Sequence, residues 1–187
     1  AAAGIGSDIG GSIRFPSHFN GVIGFKSGNR QVSQEGSFPH VDIPLKERML
    51  GIGPMTKSVA DAKMIYNIIA KKPASERELS RFKMTILPRT NYPMSDETEN
   101  MLTTIQEQLK DEFETKKAVP PFFDQSALLW QEMMSVDGGQ AMAEIVYGTK
   151  KRKDVTEYMK EVVTGKSDVH RFLSWALIGA NMFKPSE

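Results

Sequence analysis

Cysteine is absent from the sequence. That removes disulfides, thiolate nucleophiles and cysteine-ligated metals, and suits a cytoplasmic setting. Histidine is scarce: His18, His40 and His170 are the three present, too far apart in sequence to show metal-site spacing. No apolar run reaches the roughly 18 residues of a membrane-spanning helix. The first residues carry no basic region of the kind that opens a secretory signal. Neither sign of charge is in excess, since 24 Lys and Arg face 23 Asp and Glu, so there is no electrostatic case for direct nucleic-acid binding. Internal repeats and low-complexity tracts are also missing. The 187 residues have the composition of a soluble globular protein and are enough for one domain or a large piece of one.

What is there is concentrated near the start. Ala1 to Ile5 are small and apolar, as in a buried strand. Gly6-Ser7-Asp8-Ile9-Gly10-Gly11-Ser12 follows, and the paired glycines permit positive φ and close approach to the backbone. Successive N–H groups in such a turn can converge on an anion. Ser12, directly after the turn, puts a hydroxyl beside those donors, which is the arrangement acyl transfer needs. The same residues also satisfy a plain tight turn. Asp8 and Arg14 flank the loop with opposite charges; if buried, they must pair. That pair either braces the loop or leaves Arg14 to recognise a polar substrate group. Ser7 is either a hydroxyl oriented towards Ser12 or one that satisfies the turn backbone.

The run Ser7-Asp8-Ile9-Gly10-Gly11-Ser12-Ile13-Arg14-Phe15-Pro16-Ser17 resembles the second half of the amidase signature. The resemblance continues through Gly21-Val22-Ile23-Gly24-Phe25-Lys26, Gly28-Asn29-Arg30, Val32-Ser33 and Gly36, and resumes at Gly53-Pro54-Met55-Thr56-Lys57-Ser58-Val59-Ala60-Asp61-Ala62. It is specific over about residues 4 to 70; Gly28-Asn29-Arg30 is similar to the fatty-acid-amide-hydrolase branch. The resemblance implies a Ser–Ser–Lys apparatus, with Ser12 as nucleophile and the N–H groups of Ile9, Gly10, Gly11 and Ser12 as the oxyanion hole. It implies a small-molecule amide substrate and no metal or organic cofactor. The family's lysine and bridging serine lie N-terminal to this stretch, and no lysine or Gly/Ser-rich loop precedes Ser12 here. Lys26 matches a different position of the family pattern. The chain therefore reads as the C-terminal portion of one amidase-signature domain, residues 1–72 holding the nucleophile and 73–187 a helix-rich remainder. Such a portion is expected to be inactive alone and to self-associate through the apolar face and strand edge it exposes.

Further along, residues 12–20 suggest a short helix interrupted at Pro16, and Val22–Phe25 a short buried strand. Residues 27–53 lack periodicity and read as a long loop, where Pro39, Pro44, Met49 and Leu50 could line an acyl pocket or simply pack. Ser58-Val59-Ala60-Asp61 is a capping pattern ahead of an amphipathic helix over 59–71. A polar linker over 73–81, a strand over 83–87 closed by Pro88, and a helix capped by Ser95 come next. Ala118–Phe123 suggests an extended segment, and Ser126 onwards a Met-rich helix broken at Gly138-Gly139. Lys150-Lys151-Arg152-Lys153 reads as a solvated connector, and helices over 155–164 and 168–182 close the chain. The alternation predicts an α/β fold, and the resemblance implies a mixed sheet flanked by helices. The functional expectation is an amidase that cleaves a carboxamide C–N bond through an acyl-enzyme on Ser12. The alternatives are the A subunit of a glutamyl-tRNA(Gln) amidotransferase and a non-catalytic amidase fold kept for binding or assembly.

Overall fold

The small-residue start of the chain forms strand β1 (Ala3–Asp8), and Asp8 at its end is fully buried. The computed structural model describes residues 1–73, 82–87, 93–148, 153–167 and 169–185. They fall into two units, Ala1–Ala74 with Gln131–Glu187, and Ser75–Trp130. The expected linker over 73–81 (Pro73 apart), Pro88, and Lys150 to Arg152 lie outside the described residues.

In the first unit a loop leads from β1 into helix α1 (Arg14–Phe19) and the two-residue strand β2 (Ile23–Gly24). Pro16 does not interrupt α1. It sits in the first turn, where a backbone N–H has no helical partner to lose. The segment expected to be an unstructured loop over 27–53 instead contains helix α2 (Pro44–Met49) and the start of strand β3 (Gly51–Thr56). Pro44 opens α2 at a position that favours proline. β3 was hidden because two glycines and a proline in six residues mask any period-2 pattern.

β3 is the centre of an antiparallel sheet ordered β1-β3-β2, with Asp8 opposite Gly51 and Gly6 opposite Gly53. Phe25 N–H donates to the Pro54 carbonyl at 3.0 Å. A residue's N and O point to the same side of a strand, so Pro54's missing N–H faces the β2 side, where the ladder of Ile23–Gly24 has ended. Gly53 is required by the same approach, because a Cβ there would stand 1.9 Å from the Phe25 carbonyl oxygen. The burial expected of Ala1 to Ile5 and of Val22–Phe25 is not found: Ile5 is exposed, as are Ile23 and Phe25.

Helix α3 (Val59–Ile69) packs on this sheet. Ser58 Oγ accepts from Asp61 N–H at 3.1 Å and donates to Asp61 Oδ2 at 2.7 Å. The Ser58–Asp61 capping pattern thus forms, the aspartate bonding to the cap hydroxyl. Ala62 and Tyr66 are the buried face. Tyr66 also packs edge-on against Phe25, with ring centroids 5.0 Å apart.

The same unit holds helices α6 (Gln140–Tyr147), α7 (Val155–Thr164) and α8 (Arg171–Met182). Their shared core is Ala143, Tyr158, Leu177 and Ile178. Glu161 accepts from Tyr147 Oη at 3.1 Å and from Lys153 Nζ, which also sits 3.7 Å over the Tyr147 ring. Asp137 ties these helices to the sheet region. Its carboxylate accepts from Gly139 and Ala141 N–H at 3.1 and 2.8 Å, and from Lys46 Nζ of α2 at 2.7 Å. Burial raises the Asp137 pKa, but Lys46 and the two backbone donors outweigh it and hold the carboxyl below its usual value.

The second unit is a β-α-β piece. Strands β4 (Lys83–Ile86) and β5 (Glu114–Lys117) pair in parallel, joined through helix α4 (Asp96–Leu109). Ser95 caps α4, accepting from Thr98 N–H at 3.3 Å. β5 falls just before the stretch expected to be extended. Helix α5 (Ser126–Met134) follows, and Gly138 and Gly139, both at positive φ, separate it from α6. The fold is α/β, with antiparallel and parallel pairing in separate sheets.

Asp137→Ala removes a helix cap and the partner of a largely buried ammonium together. It is expected to lower the free energy of unfolding by about 3 kcal/mol. Lys46→Met is expected to cost less, because Asp137 keeps its two backbone donors. Urea titration of both variants checks the order; no measurable loss in Asp137→Ala would show that the clamp contributes nothing.

Candidate functional site

The loop between β1 and α1 is organised around one carboxylate. Asp8 Oδ1 accepts from Gly11 N–H at 2.8 Å and from an Arg14 terminal nitrogen at 3.0 Å. Oδ2 accepts from Ile13 N–H and Arg14 N–H, both at 3.2 Å, and from Arg14 Nε at 3.0 Å. Five donors thus converge on a group with no solvent exposure. Arg14 meets it as a two-pronged fork, while its own side chain remains 53% exposed. Burial alone would raise the Asp8 pKa; the Arg14 guanidinium and the N–H groups of Gly11, Arg14 and Ile13 outweigh it and lower it to about 2. Arg14 is raised in turn, chiefly by its hydrogen bond to Asp8.

The turn itself needs one glycine for its backbone. Gly11 has φ +119°, and a Cβ there would stand 2.5 Å from the Phe15 ring. Gly10 is not at positive φ. Phe15 N–H donates to Gly11 O at 2.7 Å and starts α1. Ile13, fully buried, anchors the turn against the Gly6 side of the sheet; burying such a side chain contributes about 1.5–3 kcal/mol.

Ser12 is exposed at the apex. Among the described residues nothing hydrogen-bonds its hydroxyl. The four N–H groups expected to face an oxyanion divide: Gly11 N–H is taken by Asp8, whereas those of Ile9, Gly10 and Ser12 have no acceptor among the described residues. Ser7 is not brought to this network. It alternates with Asp8 along β1, so it faces the opposite side of the sheet, paired with Ile52, and hydrogen-bonds to no described residue of the turn. The Asp8–Arg14 fork uses Nε and one terminal nitrogen of the guanidinium; the other terminal nitrogen has no partner among the described residues.

A cavity of about 300 Å³ opens elsewhere, lined by Arg30, Val32, Glu47, Leu50, Ile52 and Lys71 among others. None of Ile9 to Ser12 lines it. Arg30 and Glu47 form an exposed ion pair at its wall, at 2.6 Å. Leu50 reaches this cavity; Pro39 and Pro44 are exposed. No cluster of three or more His, Asp or Glu able to hold a metal occurs among the described residues, and no described helix is long and apolar enough to cross a membrane.

Lys26 was legible only as a residue outside the expected catalytic set. The structure brings it near the loop: a Cβ on Gly51 would stand 2.8 Å from its Cγ and Nζ, and Gly51 is the register partner of Asp8. The signal in the sequence was Gly51 itself, a strand glycine that admits a close neighbour.

A family model described as Amidase matches residues 1–177. The chain belongs to the amidase family. It is 33% identical over 124 residues to fatty-acid amide hydrolase 2-B of Danio rerio, an overlap of 62% of this chain and 23% of that one. It is 41% identical over 83 residues to the A subunit of the glutamyl-tRNA(Gln) amidotransferase of Nitratiruptor sp., covering 44% of this chain and 18% of that one. The match thus spans less than a quarter of either relative. In fold it is similar to a solved fatty acid amide hydrolase, with a TM-score of 0.66 and 20% identity over 100% of this chain and 33% of that one. A crystal structure of an amidase gives a TM-score of 0.62 and 22% identity over 95% of this chain and 40% of that one.

The Asp8 pKa makes a signed prediction. A carboxyl held at about 2 when folded, against about 3.9 when unfolded, contributes about 2 kcal/mol of stability above pH 5. That contribution is lost as pH falls from about 4 through 2. Asp8→Asn is expected to be less stable at pH 7 and to lack this part of the acid dependence. Parallel urea titrations from pH 7 to pH 2.5 measure it; identical pH slopes would remove Asp8 as the cause.

Proposed function

We propose that these residues form the nucleophile-bearing part of an amidase that hydrolyses a carboxamide C–N bond through an acyl-enzyme. The observation that carries this reading is Ser12, exposed directly beyond a turn in which three N–H groups lack an acceptor among the described residues. Ser12 Oγ attacks the carbonyl carbon and loses its proton to a base. The carbonyl oxygen becomes an oxyanion, received by the N–H groups of Ile9, Gly10 and Ser12. Collapse expels the protonated amine and leaves an ester on Ser12, which water then cleaves to the acid. Asp8 and Arg14 do not touch the substrate in this scheme; they hold the turn in the shape that presents its donors.

The base is supplied by a lysine-tuned serine that these 187 residues do not place at Ser12. By themselves they are expected to release no amine from aryl or fatty amides. Clear Ser12-dependent hydrolysis by this polypeptide would place the base inside it and overturn that part of the reading. In the full-length protein, Ser12→Ala is expected to lower amide turnover by about six orders of magnitude with the circular dichroism unchanged. Near wild-type turnover in that variant would sink the nucleophile assignment.

A second reading rests on the similarity to the A subunits of glutamyl-tRNA(Gln) amidotransferases, whose chemistry would begin on the glutamine amide. Ammonia release from glutamine, with aryl and fatty amides inert, selects it over the first.

A further inference from the structure

Lys26 is a charged group beside the loop for which the scheme above has no use. It follows β2, and its side chain curls over Gly51, so that Cγ and Nζ both stand 2.8 Å from where a Cβ would be. Gly51 is paired with Asp8 across the ladder, and partners in register present the same face. Lys26 therefore shares a face with the Asp8 carboxylate. The charged groups that face it are Asp8 from β1 and Arg14 from the start of α1; Gly51–Thr56 of β3 carries no ionisable side chain.

The Asp8 oxygens are already filled by five donors, so Lys26 has no ion pair or hydrogen bond among the described residues. One carboxylate, one guanidinium and one ammonium leave this corner with a net positive charge, at the base of a loop whose Ile9, Gly10 and Ser12 N–H groups have no acceptor among the described residues. Burial pushes the Lys26 ammonium down, Asp8 opposes that and Arg14 adds to it. A half-buried, unpaired cation is disfavoured unless an anion arrives.

We propose that Lys26 is a positioning residue for the oxyanion: its unpaired ammonium supplies the positive potential that draws negative charge onto the N–H groups of Ile9, Gly10 and Ser12. This rests on the oxyanion reading of the loop. The lysine acts through space, without touching the substrate, and its field counts for more in a partly dry corner than in water.

Sulfate is the probe, because its charge is constant across the pH range and its binding needs no catalytic base. Backbone amide NMR of the 187-residue chain is followed during sulfate titration at constant ionic strength. The Ile9, Gly10 and Ser12 amides are expected to shift and saturate. Lys26→Met keeps the stem over Gly51 and is expected to weaken sulfate about five- to tenfold; Lys26→Arg is expected to restore it. In the wild type, affinity is expected to fall as pH rises through a lysine titration below the usual range. Sulfate binding equal in Lys26→Met and wild type overturns the role of Lys26 while leaving the loop reading intact. No response at the three amides in the wild type overturns both. Should Lys26→Met fail to fold, the wild-type pH series decides: affinity unchanged to the usual lysine range overturns the proposal.

Discussion

The loop between β1 and α1 depends on keeping the Asp8 carboxylate charged and dry. A buried carboxylate is costly unless its lone pairs are filled. Here that requirement dictates the backbone: the chain after β1 must turn back so that the N–H groups of Gly11, Ile13 and Arg14 reach the two oxygens. Ser12, lying between two of those donors, is thereby forced to the outside. The same turn leaves the N–H groups of Ile9, Gly10 and Ser12 with no acceptor among the described residues. A charge satisfied from within the loop thus presents both the hydroxyl and the unfilled donors at the surface.

The sheet beneath is shaped by close approaches as much as by apolar burial. Gly51 and Gly53 of β3 admit Lys26, Ser27 and Phe25 against the backbone, at distances no side chain could tolerate. Pro54 is accommodated because the ladder on its β2 side has run out. These departures from ordinary strand composition lie opposite Asp8 and Gly6, so the strand that looks least like one supports the loop. The helices of the same unit are fastened to this region through Lys46 and Asp137, 91 residues apart in sequence.

Family membership and the loop geometry bear on different parts of the chemistry. The amidase family match covers residues 1–177, while the relatives extend well beyond the matched stretch. The loop has an exposed hydroxyl and open donors, and among the described residues nothing hydrogen-bonds the Ser12 hydroxyl. On the proposed reading, electrophile stabilisation and proton transfer are separable, because the open donors and the base do not come from the same residues.

Local chemistry alone was enough to determine the turn at Gly10-Gly11, the Ser58 and Ser95 caps, the break at Gly138-Gly139 and the closing helices, because each depends on residues a few positions apart. The same holds for the pairing of Asp8 with Arg14, since two opposite charges six residues apart across a tight turn have few alternatives. Tertiary structure alone decided that residues 27–53 contain α2 and the start of the central strand: β3 is stabilised by β1 and β2 on either side and by glycines that suit those neighbours, not by its own periodicity. It also decided which loop N–H groups stay open, since only the folded turn commits Gly11 to Asp8. It placed Ser7 on the far face, because strand alternation overrides nearness in sequence. And it set Lys26 beside Asp8, through a register between β1 and β3 that joins residues more than forty positions apart.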